Sequence, residues 1–204
     1  MTSRYERFGW TRPHGKCREI AREFREVVDQ SNTERPIQLF LEGNPWIIGE
    51  QFAHGHFVVP QFGFGGKYRA DFVALDMSSA GTFVHLIELE SPKAQLVTKA
   101  GSFGAKLRRG LEQVRDWRRY LINHPRIASD PYERGGLDLG DVAGFYPMVI
   151  AGRRDFVTPR FNDLRNQEHA ESFVEIVTYD RILDWLDRRA AHWDEYDSRS
   201  LIRD

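Results

Sequence analysis

Two glutamates set one residue apart in the run Val84-His85-Leu86-Ile87-Glu88-Leu89-Glu90 are the first candidates for chemistry. A strand turns successive side chains to opposite faces, so Glu88 and Glu90 share a face with Leu86 behind them. Asp71 lies in the preceding apolar run, Tyr68 to Leu75. A hairpin through the turn signal Ser78 to Gly81 brings it beside Glu88. Three carboxylates this close repel one another unless a hard cation neutralises them, and Mg²⁺ or Mn²⁺ suits an oxygen-only, partly open site. A metal held there lowers the pKa of a bound water and polarises a phosphodiester. Strand patterning alone fits a solvated sheet face equally well.

The charge that follows these acids favours chemistry. The chain has 204 residues, with Lys and Arg numbering 29 against 30 Asp and Glu, so no global field draws it to nucleic acid. Between Lys93 and Arg126, however, nine cations face only Glu112 and Asp116. The compensating acid lies mostly in the C-terminal stretch from Asp180 to Asp204. Lys106, Arg109, Gln113 and Asp116 recur at spacings of three and four and share one helical face. A groove flanked by that face and the carboxylates joins phosphate contact to metal chemistry, with Lys67, Lys99, Lys106 and Arg109 as candidate nucleic-acid contacts.

The elements that must position these residues are legible in outline. Ile20, Phe24, Val27 and Val28 mark a helix over 16–30, and Thr33 is placed to cap a second one that ends at Gly43-Asn44-Pro45. Glu42 falls in its last turn, a candidate to support the ligands from behind. Strands are expected at Phe57 to Val59, Tyr68 to Leu75 and Thr82 to Glu90, the last stopped by Pro92. A long helix follows from Phe103 to Asn123, with Leu107, Leu111, Val114, Trp117 and Leu121 as its apolar stripe. The segment from His124 to Gly144 reads as a long surface loop. Strands at Tyr146 to Ala151 and Phe173 to Thr178 then lead to a helix through Leu186, which Asp180 is placed to cap.

Composition narrows the class. With 41% hydrophobic and 29% charged residues the chain suits one α/β domain with its own core. No stretch approaches the roughly 18 apolar residues of a membrane span, and the first residues are not signal-like, so a cytoplasmic protein with no membrane partner is expected. Cys17 is the only cysteine, which excludes an internal disulfide and a Cys-rich zinc site. Gly63-Phe64-Gly65-Gly66-Lys67 lacks the residues of a phosphate loop and reads as a hairpin turn. His54 and His56 could face a zinc ion together, but no further ligands have suitable spacing. No Ser or Cys sits in a nucleophile motif.

Several short motifs, taken in order, carry a resemblance. They are Phe40-Leu41-Glu42-Gly43-Asn44-Pro45-Trp46, Ala70-Asp71-Phe72-Val73, Ile87-Glu88-Leu89-Glu90-Ser91-Pro92, Gln113-Val114-Arg115-Asp116-Trp117, Val149-Ile150-Ala151-Gly152-Arg153 and Thr178-Tyr179-Asp180-Arg181-Ile182-Leu183. This series resembles the Shedu nuclease domain, a PD-(D/E)XK branch used in bacterial defence against phage. The resemblance implies a restriction-endonuclease-like α/β core, a central mixed sheet flanked by helices. It implies DNA as substrate, Mg²⁺ or Mn²⁺ as cofactor, and a homo-oligomer. It implies Asp71 and Glu88 as metal ligands and Gln113 as the helix residue facing the site. The corresponding division is an N-terminal helical extension at 1–36, the nuclease domain at 37–190 and a C-terminal tail at 191–204. One position departs from the pattern. Where the motif carries a lysine two residues after the acid of the third strand, this chain has Glu90. Either Glu90 is a third metal ligand or base, or Lys93 or Lys67 supplies the ammonium. The remaining alternative is a nuclease fold that binds nucleic acid or protein without cutting.

Overall fold

A computed structural model gives the fold and describes residues 9–52, 55–124 and 142–200. The elements run α1 (Cys17–Gln30), α2 (Arg35–Gly43), the short α3 (Trp46–Gly49), β1 (Gly55–Phe64), β2 (Tyr68–Ser78) and β3 (Gly81–Leu89). Then come α4 (Ala105–Asn123), β4 (Val142–Ile150), a 3₁₀ turn (Arg154–Phe156), α5 (Pro159–Ser172), β5 (Glu175–Val177) and α6 (Tyr179–Ser200). This is the expected α/β class, a five-stranded mixed sheet in the order β1-β2-β3-β4-β5 flanked by helices. The first three strands form an antiparallel meander, and β4 and β5 add parallel to β3.

Each sheet face buries its own core. Val73, Leu75, Val84 and Leu86 pack beneath the stripe Leu107, Leu111, Val114, Trp117 and Leu121 of α4. Phe72, Ala74, Ile87 and Leu89 point the other way, under α1, α2, α3 and α6. Alternation along β2 and β3 therefore decides which residues belong to which layer. Trp117 is core, 2% exposed.

Four local readings are corrected. Thr33 does not cap α2: Glu34 occupies that position and no side chain closes the turn, because Pro36 inside the first turn already removes one free N–H. Asp180 lies inside the first turn of α6 rather than before it. There it accepts from the Arg153 guanidinium at 3.0 Å and from Arg154 N–H at 2.7 Å. Burial raises its pKa, but these hydrogen bonds outweigh burial and hold the carboxyl below its ordinary value. Val142 to Gly144 belong to β4, not to a loop. The rest of that expected loop, 125–141, lies outside the described residues, as does His54 of the zinc reading. Finally, α5 occupies a segment where the sequence analysis places no element. Parallel β4 and β5 require a crossover, yet α5 buries only Phe161 and Glu168 and so has no apolar stripe to announce it. Thr158, whose side chain accepts from Phe161 N–H before Pro159, is the signal that marks its start.

The first and last helices are joined. α6 continues past Leu186 to Ser200, and Asp194 accepts from the N–H groups of Cys17 and Arg18 at 2.9 and 3.0 Å, capping α1 from a distant element. Arg12 forms a two-pronged pair with Asp197 at 3.0 and 3.1 Å.

Candidate active site

One step beyond the Phe72–Ile87 pair, the antiparallel register sets Asp71 across from Glu88. Asp71 is held there by two donors: Leu89 N–H at 2.9 Å and the Gln61 side-chain amide at 3.0 Å. Gln61 has φ +49°, a left-handed conformation rare for a non-glycine residue in a strand, and it resets the alternation of β1 so that its amide meets Asp71. Glu90, just past β3, continues the ladder through its N–H to Ile150 O at 2.9 Å. Its own carbonyl accepts from the Tyr179 hydroxyl at 2.8 Å. Ser91 Oγ donates to Asn32 O at 2.8 Å, which ties the end of β3 to the turn before α2.

Asp71, Glu88 and Glu90 thus gather on the sheet face that α4 covers. Glu88 and Glu90 are 9% and 8% exposed. At Gly110 of α4 an added Cβ would sit 3.2 Å from Glu90 Cγ and 3.3 Å from its Oε1. The glycine is what lets this carboxylate pack against helix backbone.

The electrostatics follow from this crowding. Burial first, then the charges of Asp71 and Glu90, push Glu88 up to about 9, against an opposing pull from Arg109. Burial and then the charge of Glu34 push Glu90 up to about 7, while Arg109 and Lys106 pull it down. Asp71 is also raised by burial, in part offset by the Leu89 and Gln61 hydrogen bonds. Glu34, at the N-terminus of α2, acts on all three. No sequence pattern announces this acid, because it is tertiary packing, with the Ser91–Asn32 tie and the shared core of α2 and β3, that brings that turn to the end of β3. Glu42, about two helical turns further along α2, instead accepts from Gln38 at 2.9 Å.

The expected cations divide. Lys106 and Arg109 lie near enough to act on Glu90, as their shared helical face with Gln113 implies. Gln113 itself has a buried Oε1 with no hydrogen-bond partner among the described residues. Lys93 is exposed in the turn after Pro92, its N–H donating to Ser91 Oγ at 3.1 Å. Lys67 closes the β1–β2 hairpin with its ammonium 4.8 Å from the Tyr68 ring centre, and Lys99 is exposed in the connection before α4. Other cations of α4 serve structure. Arg115 pairs with the buried Glu168, Arg118 donates to Phe145 O at 3.2 Å, and Arg119 pairs with Asp116 at 3.3 Å.

The fit to a metal is a matter of donor type and charge. Among the described residues no three His, Cys, Asp or Glu side chains stand close enough to form a ready-made metal site. Yet the carboxylates here are oxygen donors only, and among the described residues no ion pair reaches Asp71, Glu88 or Glu90. Crowded carboxyls that keep their protons in the metal-free fold are a donor set that a hard divalent cation would ionise and neutralise.

A profile of the family described as Shedu protein SduA, C-terminal, matches residues 31–183. No curated protein matches the chain. The matched span begins at the turn that carries Glu34 and ends inside α6, so it holds every residue of the site.

Proposed function

Since the chain belongs to the family of the SduA C-terminal domain, we propose that it is a metal-dependent DNA endonuclease of the PD-(D/E)XK type that serves in defence against phage. The observation that carries this reading is the pair of buried carboxyls Glu88 and Glu90 beside half-buried Asp71, at the edge of the face bearing Lys106 and Arg109. Asp71 and Glu88, with Glu90, would hold Mg²⁺ or Mn²⁺, which when bound supplies a Lewis acid and an acidified water. The chain's own residues do the rest. Lys106 and Arg109 draw the phosphate backbone toward the carboxylates and offset the charge that grows on it. Gln113 offers an amide from the same helical face for orienting what binds there. Glu90, whose carboxyl is near 7, can take up a proton at Oε1 or Oε2 at neutral pH and stands where a motif lysine would. The family resemblance adds a homo-oligomeric form, which light scattering would measure directly.

A second reading is a binding module that holds DNA or a protein without cutting. Glu90 in place of lysine favours it. Incubating linear, circular and single-stranded DNA with Mg²⁺ or Mn²⁺, and with EDTA as control, separates the two. Metal-stimulated cleavage that Asp71→Asn and Glu88→Gln each abolish supports the nuclease. Salt-sensitive binding with no cleavage under any metal supports the module.

A further inference from the structure

On the sheet face opposite the carboxylates, a cavity of about 170 Å³ lies over Ile87, Met148 and Ile150. Its wall is the stacked pair Phe52 and His85, with ring centroids 3.8 Å apart and planes inclined by 22°. His85 Nε2 is buried with no hydrogen-bond partner among the described residues. A cleft of about 410 Å³ adjoins it, lined by Arg165, Asn166 and His169. The two share Glu175 and Arg181, which pair with each other at the boundary.

These features call for different parts of one ligand. Small-molecule sites span about 300–1,000 Å³, so the cavity is too small for a whole ligand and suits one flat ring system. An apolar floor, an aromatic wall and one buried ring nitrogen recognise a heteroaromatic ring that has a single polar edge to satisfy. Burial holds the His85 pKa down to about 4, so at neutral pH the imidazole offers a neutral donor or acceptor. The cleft presents two guanidiniums, an amide and an imidazole against one carboxylate, a set for a compact dianion. Only the Glu175–Arg181 pair stands between the ring and the anion.

We propose that this composite is a nucleoside monophosphate site, the base in the His85 cavity and the phosphate against Arg165 and Arg181. It does not depend on the proposed nuclease reaction. Its cavity uses His85 and Ile87 of β3 but opens on the other sheet face from Glu88, and its cleft sits beside β5. Phosphate entry competes with Glu175 for Arg181, so the ion pair sets a threshold that only a dianion overcomes.

Calorimetric titration of the full chain, without divalent metal, tests this with the monophosphates of adenosine, guanosine, cytidine and uridine. Adenosine, ribose 5-phosphate and inorganic phosphate serve as fragments. At least one nucleotide should bind about tenfold more tightly than any fragment. Arg165→Ala should weaken it about tenfold, the scale of one lost charge-assisted hydrogen bond. Glu175→Gln should tighten it by freeing Arg181, a change that damage to the fold would not produce. His85→Phe keeps the ring stack and should erase the preference of nucleotide over ribose 5-phosphate. Asp71→Asn should leave binding unchanged. No saturable binding of any nucleotide overturns the proposal. So does binding that Asp71→Asn abolishes while Arg165→Ala and Glu175→Gln leave it unaltered.

Discussion

At the residue scale the protonation of Glu88 makes a sharp expectation. Its carboxyl ionises near 9 in the fold against an ordinary 4.5, so between those values the folded chain holds a proton that the unfolded chain has released. This is the reverse of a salt-bridged acid. The metal-free protein should lose stability as pH rises through that window, and Glu88→Gln should remove much of the slope. At pH 8 the metal-free variant should exceed the wild type by at least about 1 kcal/mol, or about 2–4 °C in Tm for a chain of this size. Near pH 5 the two should coincide. A wild type whose urea-unfolding stability is flat from pH 5 to 9 would contradict it. Glu90 raises a second question, who does the work of the missing lysine. If Glu90 accepts the proton, Glu90→Gln should slow single-turnover cleavage by about 10²-fold with little change in DNA binding. Lys93→Ala should then be mild, since Lys93 stands exposed in the turn beyond Pro92. Near-normal cutting by Glu90→Gln with a severe Lys93→Ala would reverse the assignment.

At the scale of elements, the site depends on two junctions, one at the end of β3 and one in the connection that follows it. Tyr179, fully buried at the start of α6, donates to Glu90 O. Tyr179→Phe leaves that carbonyl without its donor and should cost about 1–3 kcal/mol in denaturant unfolding. It should also lower the cleavage rate more than it changes DNA affinity. Equal losses in rate and affinity would indicate general damage. The second junction is Gly104, which begins α4. A Cβ there would fall 1.8 Å from Gln95 O, a backbone atom that cannot rotate away. Gly104 N–H donates to Leu96 O at 3.1 Å, so this close approach sets where α4 starts and therefore where Lys106 and Arg109 point. Gly104→Ala should destabilise by about 1–3 kcal/mol, the cost of overpacking a tight site. An unchanged midpoint in urea would show that the loop shifts freely.

At the scale of the molecule, the segment from Arg12 to α1 meets the later turns of α6 behind the sheet. Asp194 caps α1, Arg12 grips Asp197, and Trp193 sets its ring edge-on to Trp46 with centroids 5.9 Å apart. The helices that cover the second core thus hold one another by capping and ion pairing as well as by burial. Asp194→Ala leaves two α1 N–H groups without their acceptor and should cost about 0.5–2 kcal/mol, as the loss of a cap does. Hydrogen exchange should quicken first in α1 and the end of α6. Faster exchange confined to α4 would sink this account. Among the described residues no helix is long and apolar enough to cross a membrane, in line with a core that is buried by these two layers alone.

The sequence by itself determined the local features: the alternation that puts Glu88 and Glu90 on one face, the hairpin that delivers Asp71, and the stripe that orients α4 with Lys106 and Arg109 outward. Each is a consequence of periodicity over a few residues, which composition and turn chemistry specify without help. The tertiary structure alone decided the rest. Glu34 joins the carboxylates through tertiary packing, with the shared core of α2 and β3 and the bond of Ser91 to Asn32, 59 positions away in sequence. Gln61 supports Asp71 because a left-handed residue in β1 resets the strand, and nothing in a Pro-Gln-Phe triplet announces that. α5 escaped notice because a crossover helix that buries one phenylalanine and one paired glutamate leaves no periodic trace. Contacts between distant segments carry no signal in any one segment, so burial, and with it the pKa of Glu88, exists only once the layers have packed.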